Sequence, residues 1–191
     1  MTTTERVEAR AQHTLTTMSP IIHACVGWLV GHRLARHRDR VVVAVAAVAP
    51  DIDGLGLIVS EDLYVEWHHR LAHGALFAVA TAVVAGVLCR SPWVAALSVV
   101  AFHTHVAMDL VGSGPGWPIV YGYPFDGTEW LPAWQWDLAS WQNGVFGLVT
   151  VIACLSGALS VRRTPVEIVS TRADGHVVAA LRHRFLREPL P

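Results

Sequence analysis

Lysine is absent from this 191-residue chain: all 14 basic side chains are arginine. Charged residues make up only 15% of the chain, and they nearly cancel to a formal net charge of -1. That balance argues against a nucleic-acid partner held by overall charge, because such binding needs an excess of cations to release counterions. Cysteine is scarce as well. Cys25, Cys89 and Cys154 are odd in number, form no Cys-x-x-Cys pair and lie inside apolar stretches, which excludes a disulfide framework and leaves them as small buried hydrophobes. Residues 1–18 mix Glu5, Arg6, Glu8 and Arg10 with threonines and contain nothing that resembles a cleaved signal peptide, so the chain is expected to keep its whole length.

Apolar residues are abundant: 53% of the chain is hydrophobic and the mean hydropathy is +0.42. They gather at about 20–31, 41–59, 71–89, 92–111 and 144–161. Several of these runs approach the ~20 residues that a helix needs to cross ~30 Å of hydrocarbon. The run from Gly74 to Cys89 has almost no polar face, which disfavours a soluble bundle with a fatty core. The expected fold is therefore all-α, a polytopic membrane protein of about five helices in a bundle. Ser19 and Pro20 read as the N-cap and first turn of the first, short helix. Three parts are expected: a polar N-terminal segment (1–18), a membrane-embedded domain (19–161) and a basic cytoplasmic tail (162–191).

Arginine placement predicts orientation. Arg33, Arg36, Arg38 and Arg40 crowd the first link, Arg90 sits in the third, and Arg162 and Arg163 follow the last apolar run. The positive-inside rule makes those places cytoplasmic, with the N-terminus outside and the C-terminus inside. Arg6 and Arg10 count against this scheme, and the tail from Arg172 to Arg187 counts for it. The links at 60–70 and 112–143 carry one arginine, several carboxylates and Trp117, Trp130, Trp134, Trp136 and Trp141. Such rings favour the headgroup zone, and the longer link is expected to lie on the membrane, either as a lid or as an anchor for its neighbouring helices.

In that topology the ionisable residues of the apolar runs share one side of the membrane. His23 begins the first run, Asp51 and Asp53 lie in "PDID", His68, His69 and His73 in "HHRLAHG", and His105 and Asp109 in "HTHVAMDL". A charged, unpaired side chain inside a span costs at least ~2.5 kcal/mol, so such groups meet partners. Carboxylates with imidazoles are a ligand set for zinc, manganese or iron. His105 and Asp109, four residues apart, share a helix face while His103 points elsewhere; His69 and His73 are expected to pair in the same way, with His68 on another side. On a regular helix Asp51 and Asp53 diverge by about 200°, so either the helix ends near Pro50 or only one of them is a ligand.

The order of a histidine in the first run, "PDID", "HHRLAHG" and "HTHVAMDL" leading to "YGYPF" resembles the YdjM-like bacterial inner-membrane proteins, described as metal-dependent hydrolases. The resemblance covers about residues 19–160 and implies metal-site roles for His23, Asp51, Asp53, His73, His105 and Asp109. Ala72 and Gly74 flank His73 where the family has Thr and Ser, and one fewer residue follows Arg70, which leaves open whether His68 or His69 takes part. A more remote similarity, to zinc-dependent phospholipase C and the single-strand-specific nucleases, implies phosphoester hydrolysis.

The expected function is a membrane-bound hydrolase acting on a phosphoester or lipid-linked substrate at the outer face. Asp51 or Asp53 with His73, His105 and Asp109 would hold one divalent ion, zinc first among the choices, and His69 is the further candidate ligand. His23 with a bridging Asp109 would hold a second ion ~3.5–4 Å away. The free carboxylate of the Asp51/Asp53 pair would take the proton of the attacking water, and Arg70 would neutralise an anionic substrate. The competing readings are a haem-b protein ligated by histidines on separate helices, beside which three carboxylates would be unwelcome, and a metal transporter, which needs polar residues continuing to the other leaflet.

Overall fold

The structure is a computed structural model that describes residues 20–189. The expected N-cap at Ser19 and the polar segment 1–18 lie outside the described residues. Helix α1 (Pro20–Gly31) turns back into α2 (His37–Ala46), and the two cross closely at Gly27. A Cβ at that position would stand 2.4 Å from Ala47 Cβ, so glycine sets the approach.

The second apolar run is not one helix. α2 stops at Ala46, and a 3-10 segment, Ala49–Ile58, leaves it at 57°. Pro50 at the start of that segment has no N–H and disfavours helical geometry in the residue before it. The helix thus ends where the two carboxylates begin, one of the two outcomes their spacing allowed.

Ser60 Oγ accepts from Leu63 N at 3.1 Å and caps α3 (Glu61–Trp67), a short helix inside what reads in sequence as a link. Residues 68–74 follow without regular helix, and His69 has φ +65°. The expectation that His69 and His73 lie one turn apart on a helix is therefore wrong. Helix α4 (Ala75–Cys89) starts only after Gly74, because the link is pinned from outside. Ala75 N donates to Tyr121 O at 2.8 Å and Val120 N to His69 O at 3.0 Å, while a Cβ on Gly74 would meet Tyr121 O at 2.9 Å. Tertiary pairing here overrides local helix propensity.

Arg90, in the left-handed region, reverses the chain into α5 (Pro92–Gly112), which Ser91 caps. α6 (Trp141–Ser160), a 3-10 turn at Pro165–Ile168 and α7 (Thr171–Leu186) complete the described chain. α5 is central and packs against α1, α2 and α4. Its Val94 and Ala101 join Val43, Ala47, Ala85 and Cys89 in one apolar cluster, and Phe102 and Val106 join Ala78 and Ile119 in another.

α5 and α6 are long and apolar enough to cross a bilayer, and the bent pair α2 plus the 3-10 segment makes up to three such spans. α1, with 12 residues, and α4, with 15, extend only about 18 and 22 Å at 1.5 Å per residue. Both fall short of the ~30 Å core, so by length and composition two of the apolar helices, or three spans with the bent pair, reach across it among the described residues. The outer faces are apolar all the same. Val79, Val83 and Val87 on α4 and Leu148, Val149 and Ile152 on α6 are exposed, as suits a lipid-facing surface. This is a helical membrane protein.

Candidate metal centre

Helix polarity sorts the side chains before any chemistry is considered. The start of α1, the 3-10 segment, the 68–74 link and the last turns of α5 meet at one end of the bundle, and they carry His23, Asp51, His69, His73, His105 and Asp109. The arginine-bearing links, including Arg33, Arg36, Arg90 and Arg163, lie at the other end.

Asp109 is the hub. Its Oδ2 lies 2.9 Å from His105 Nε2, 3.3 Å from His73 Nε2 and 3.6 Å from His69 Nε2; its Oδ1 lies 3.4 Å from His23 Nε2. Asp51 Oδ1 approaches His105 Nε2 at 3.6 Å. All of these groups are buried except Asp51, whose side chain is 22% exposed. The i,i+4 pair of His105 and Asp109 read from the sequence lies at the heart of this cluster.

Proton positions follow from the partners on the far side of each ring. His105 Nδ1 lies 2.7 Å from Ala47 O, a pure acceptor, so Nδ1 carries a proton and Nε2 is the nitrogen turned to the cluster. His73 Nδ1 donates in the same way to Asp53 Oδ2 at 2.9 Å. The two Nε2 atoms nevertheless face each other at 3.2 Å, with the Asp109 carboxylate between them. With both rings neutral, the two nitrogens and the carboxylate would meet as acceptors, and a cation in their midst would turn that repulsion into coordination. Asp51, His73, His105 and Asp109 have donor atoms within 4.8 Å of one another, the reach of a single metal ion.

Asp53 stands behind this cage. Its Oδ1 accepts from His68 Nδ1 at 2.8 Å, and its Oδ2 from His73 Nδ1 and from Ala72 N at 3.1 Å. That is the carboxylate–histidine arrangement which fixes ring orientation and raises ligand basicity. With both oxygens engaged, Asp53 is better placed to orient His73 than to ligate the same ion or take a proton from water. Asp53, His68 and His73 also form a second group of donors within 4.8 Å of one another.

The two adjacent histidines part company: His69 faces Asp109, and His68 faces Asp53. Burial, reinforced by the neighbouring His68 and His73, holds His69 well below the ordinary imidazole range, so its nitrogen is available as a lone pair. Buried His23 Nδ1, His69 Nδ1 and Asp51 Oδ2 have no hydrogen-bond partner among the described residues. His103 lies off the site and pairs with Tyr121.

Arg70 does not reach the cage. It is 43% exposed, 3.8 Å from Glu129, and lines a small cleft of about 60 Å³ with His68, Glu66 and Trp117. Tyr64 and Trp117 are site neighbours that sequence reasoning missed. Tyr64 stacks on His68 at 4.7 Å, and Trp117 meets His68 and His69 edge-on. Burial and then the Asp53, Asp51 and Asp109 carboxylates push the Tyr64 phenol above its usual range, so it stays protonated as a donor. Its one sequence signal is its position four residues before His68.

Searches of curated proteins and of solved structures return no match. The profile of the YdjM inner membrane protein family, however, matches residues 18–180, a stretch that takes in every helix bearing the histidine–aspartate cluster, and the chain belongs to that family.

Proposed function

We propose that this protein is a metal-dependent hydrolase of the bacterial inner membrane, acting on a phosphoester or lipid-linked substrate at the membrane face where Asp109 lies. The observation that carries the reading is the convergence of His73 Nε2, His105 Nε2 and the buried Asp109 carboxylate, with Asp51, within the reach of one ion. His73, His105, Asp109 and Asp51 would hold the ion, with His23 and His69 beside Asp109. Nitrogen and oxygen donors without thiolate favour zinc, with manganese or iron as alternatives. A divalent ion there supplies Lewis acidity and an acidified water.

The chain's own groups do the rest. Asp53 orients His73 and Ala47 O orients His105, each by holding Nδ1 so that Nε2 points inward. Asp51, the most open of the carboxylates, has an oxygen without a partner and is the group free to accept a proton. Arg70, at the mouth of the adjoining cleft, suits a phosphate oxygen. In this reading the arginine-rich end faces the cytoplasm, so the C-terminus is inside and the N-terminus outside.

Metal analysis of purified wild type, His105→Ala and Asp109→Ala tests the assignment, together with hydrolysis of bis(p-nitrophenyl) phosphate. Near-stoichiometric metal and turnover in wild type, both lost in the variants, are expected. Equal trace metal in all three preparations, or a Soret band from bound haem, overturns it. A C-terminal alkaline phosphatase fusion is expected to be inactive and a C-terminal fluorescent fusion bright; the reverse overturns the orientation.

A further inference from the structure

The segment 117–121 is a partition with a cavity on each side. Ile119 and Trp130 exchange backbone hydrogen bonds at 2.9 and 3.0 Å, and from Pro118 to Tyr121 successive residues line opposite cavities, with Trp117 on the same side as Pro118. Pro118 and Val120 face the cleft that holds His68, Arg70, Glu66 and Glu129. Ile119 and Tyr121 face a groove of about 280 Å³ along α5, completed by Val106, Ala107, Leu110 and Trp130.

The two cavities differ in chemistry. His103 and Tyr121 are the polar side chains of the groove, and they satisfy each other. His103 Nδ1 donates to Val99 O at 2.8 Å, and the Tyr121 hydroxyl donates to His103 Nε2 at 2.7 Å. Apart from the Trp130 indole N–H, the remaining side chains of the wall are carbon. Exposed Ala107 and Trp130 open it on the surface of a membrane-spanning helix, where hydrocarbon chains are the available solute. The cleft, by contrast, sets the Arg70 guanidinium beside the Glu66 and Glu129 carboxylates, a complement for a head that carries phosphate and amine together.

We infer that the α5 groove is the acyl-chain subsite of an amine-bearing phospholipid whose head lies across the 117–121 partition, in the cleft beside His68 and Arg70. The head's position next to the metal cage rests on the hydrolase reading above; occupancy of the groove does not. Parting of the Arg70–Glu129 pair, long and exposed, admits the head.

The full chain in nanodiscs, probed with phosphatidylethanolamine carrying a diazirine at the end of one chain, tests this. Photolabelling is expected to concentrate on residues 106–121 and to be lost in Ala107→Trp, which fills the groove. Val79→Trp, on the exposed face of α4, is expected to leave it intact. Leu110→Trp serves as a second groove-filling variant should Ala107→Trp fail to fold. Labelling spread over α4, α5 and α6 in proportion to exposed surface means annular lipid only and overturns the inference, as does labelling that survives both groove variants. Equal labelling by a phosphatidylglycerol probe overturns the amine-bearing head. Metal content of the same samples separates the two proposals: groove labelling in a metal-free wild type sinks the hydrolase alone, whereas uniform labelling in a metal-loaded protein sinks the subsite alone.

Discussion

Asp53 shows how little of a residue's role its type conveys. In the sequence it stands beside Asp51 as an equal candidate ligand, yet its two oxygens serve His68, His73 and Ala72 N, while Asp51 faces His105. Replacing Asp53 by Asn keeps the shape and substitutes a donor for one acceptor. One histidine must then turn or change tautomer, and if His73 does so its Nε2 becomes an N–H aimed at His105. A loss of about 10- to 100-fold in metal affinity is expected, as for other partners that orient ligand histidines. Competition with a chromophoric chelator measures it, with His103→Ala as the variant that leaves affinity unchanged. That these residues would converge was legible because burying carboxylates and imidazoles in apolar runs demands a partner. The division of labour among them was not, since it depends on contacts between residues as far apart in sequence as Asp53 and His73, or Ala47 and His105.

At the scale of elements, α5 and α6 follow from uninterrupted apolar length, and the His105–Asp109 face from helical periodicity. The 68–74 link escaped sequence reading because its conformation is imposed by the 117–121 segment, which pairs with it from nearly fifty residues away. The break after Ala46 was legible only as a choice of two outcomes, because Pro50 forbids a regular helix without saying where the chain goes. Packing between elements gives its own prediction. Gly27→Ala would put a methyl 2.4 Å from Ala47 Cβ and 3.1 Å from the Ala44 backbone, which forces α1 away from α2. A destabilisation of about 1–3 kcal/mol is expected, as for overpacked cores. Metal occupancy should fall with it, because α1 brings His23 and Ala47 O holds His105. Gly175→Ala in α7, where a Cβ meets nothing within 4 Å, should instead stabilise by about 0.4–1 kcal/mol. Thermal unfolding in detergent, followed by metal analysis, reads both variants.

For the molecule as a whole, the end opposite the histidine–aspartate cluster is closed by one buried carboxylate. Glu167, in the turn after α6, accepts from Arg40 Nε at 2.7 Å, from Arg40 Nη2 at 2.5 Å and from Trp28 Nε1 at 2.8 Å. Its carbonyl accepts from His37 Nε2 at 2.9 Å, so one residue ties α1, α2 and the chain beyond α6 together. Burial opposes ionisation of Glu167, but the bonds from Arg40 and Trp28 outweigh it and hold the carboxyl below its ordinary 4.5. A group lowered on folding contributes stability that is present above its unfolded value and is lost as pH falls through the folded one. The wild type should therefore lose this contribution only below about pH 4.5. Glu167→Gln leaves the Arg40 guanidinium buried without its counter-charge, and a cost of about 3–5 kcal/mol is expected at neutral pH. Unfolding scans from pH 7 to 3.5 decide it: the gap between wild type and variant should be widest at neutral pH and narrow toward the acid end, and a gap that stays constant or grows in acid would show that this charge does not hold the arginine-rich end closed.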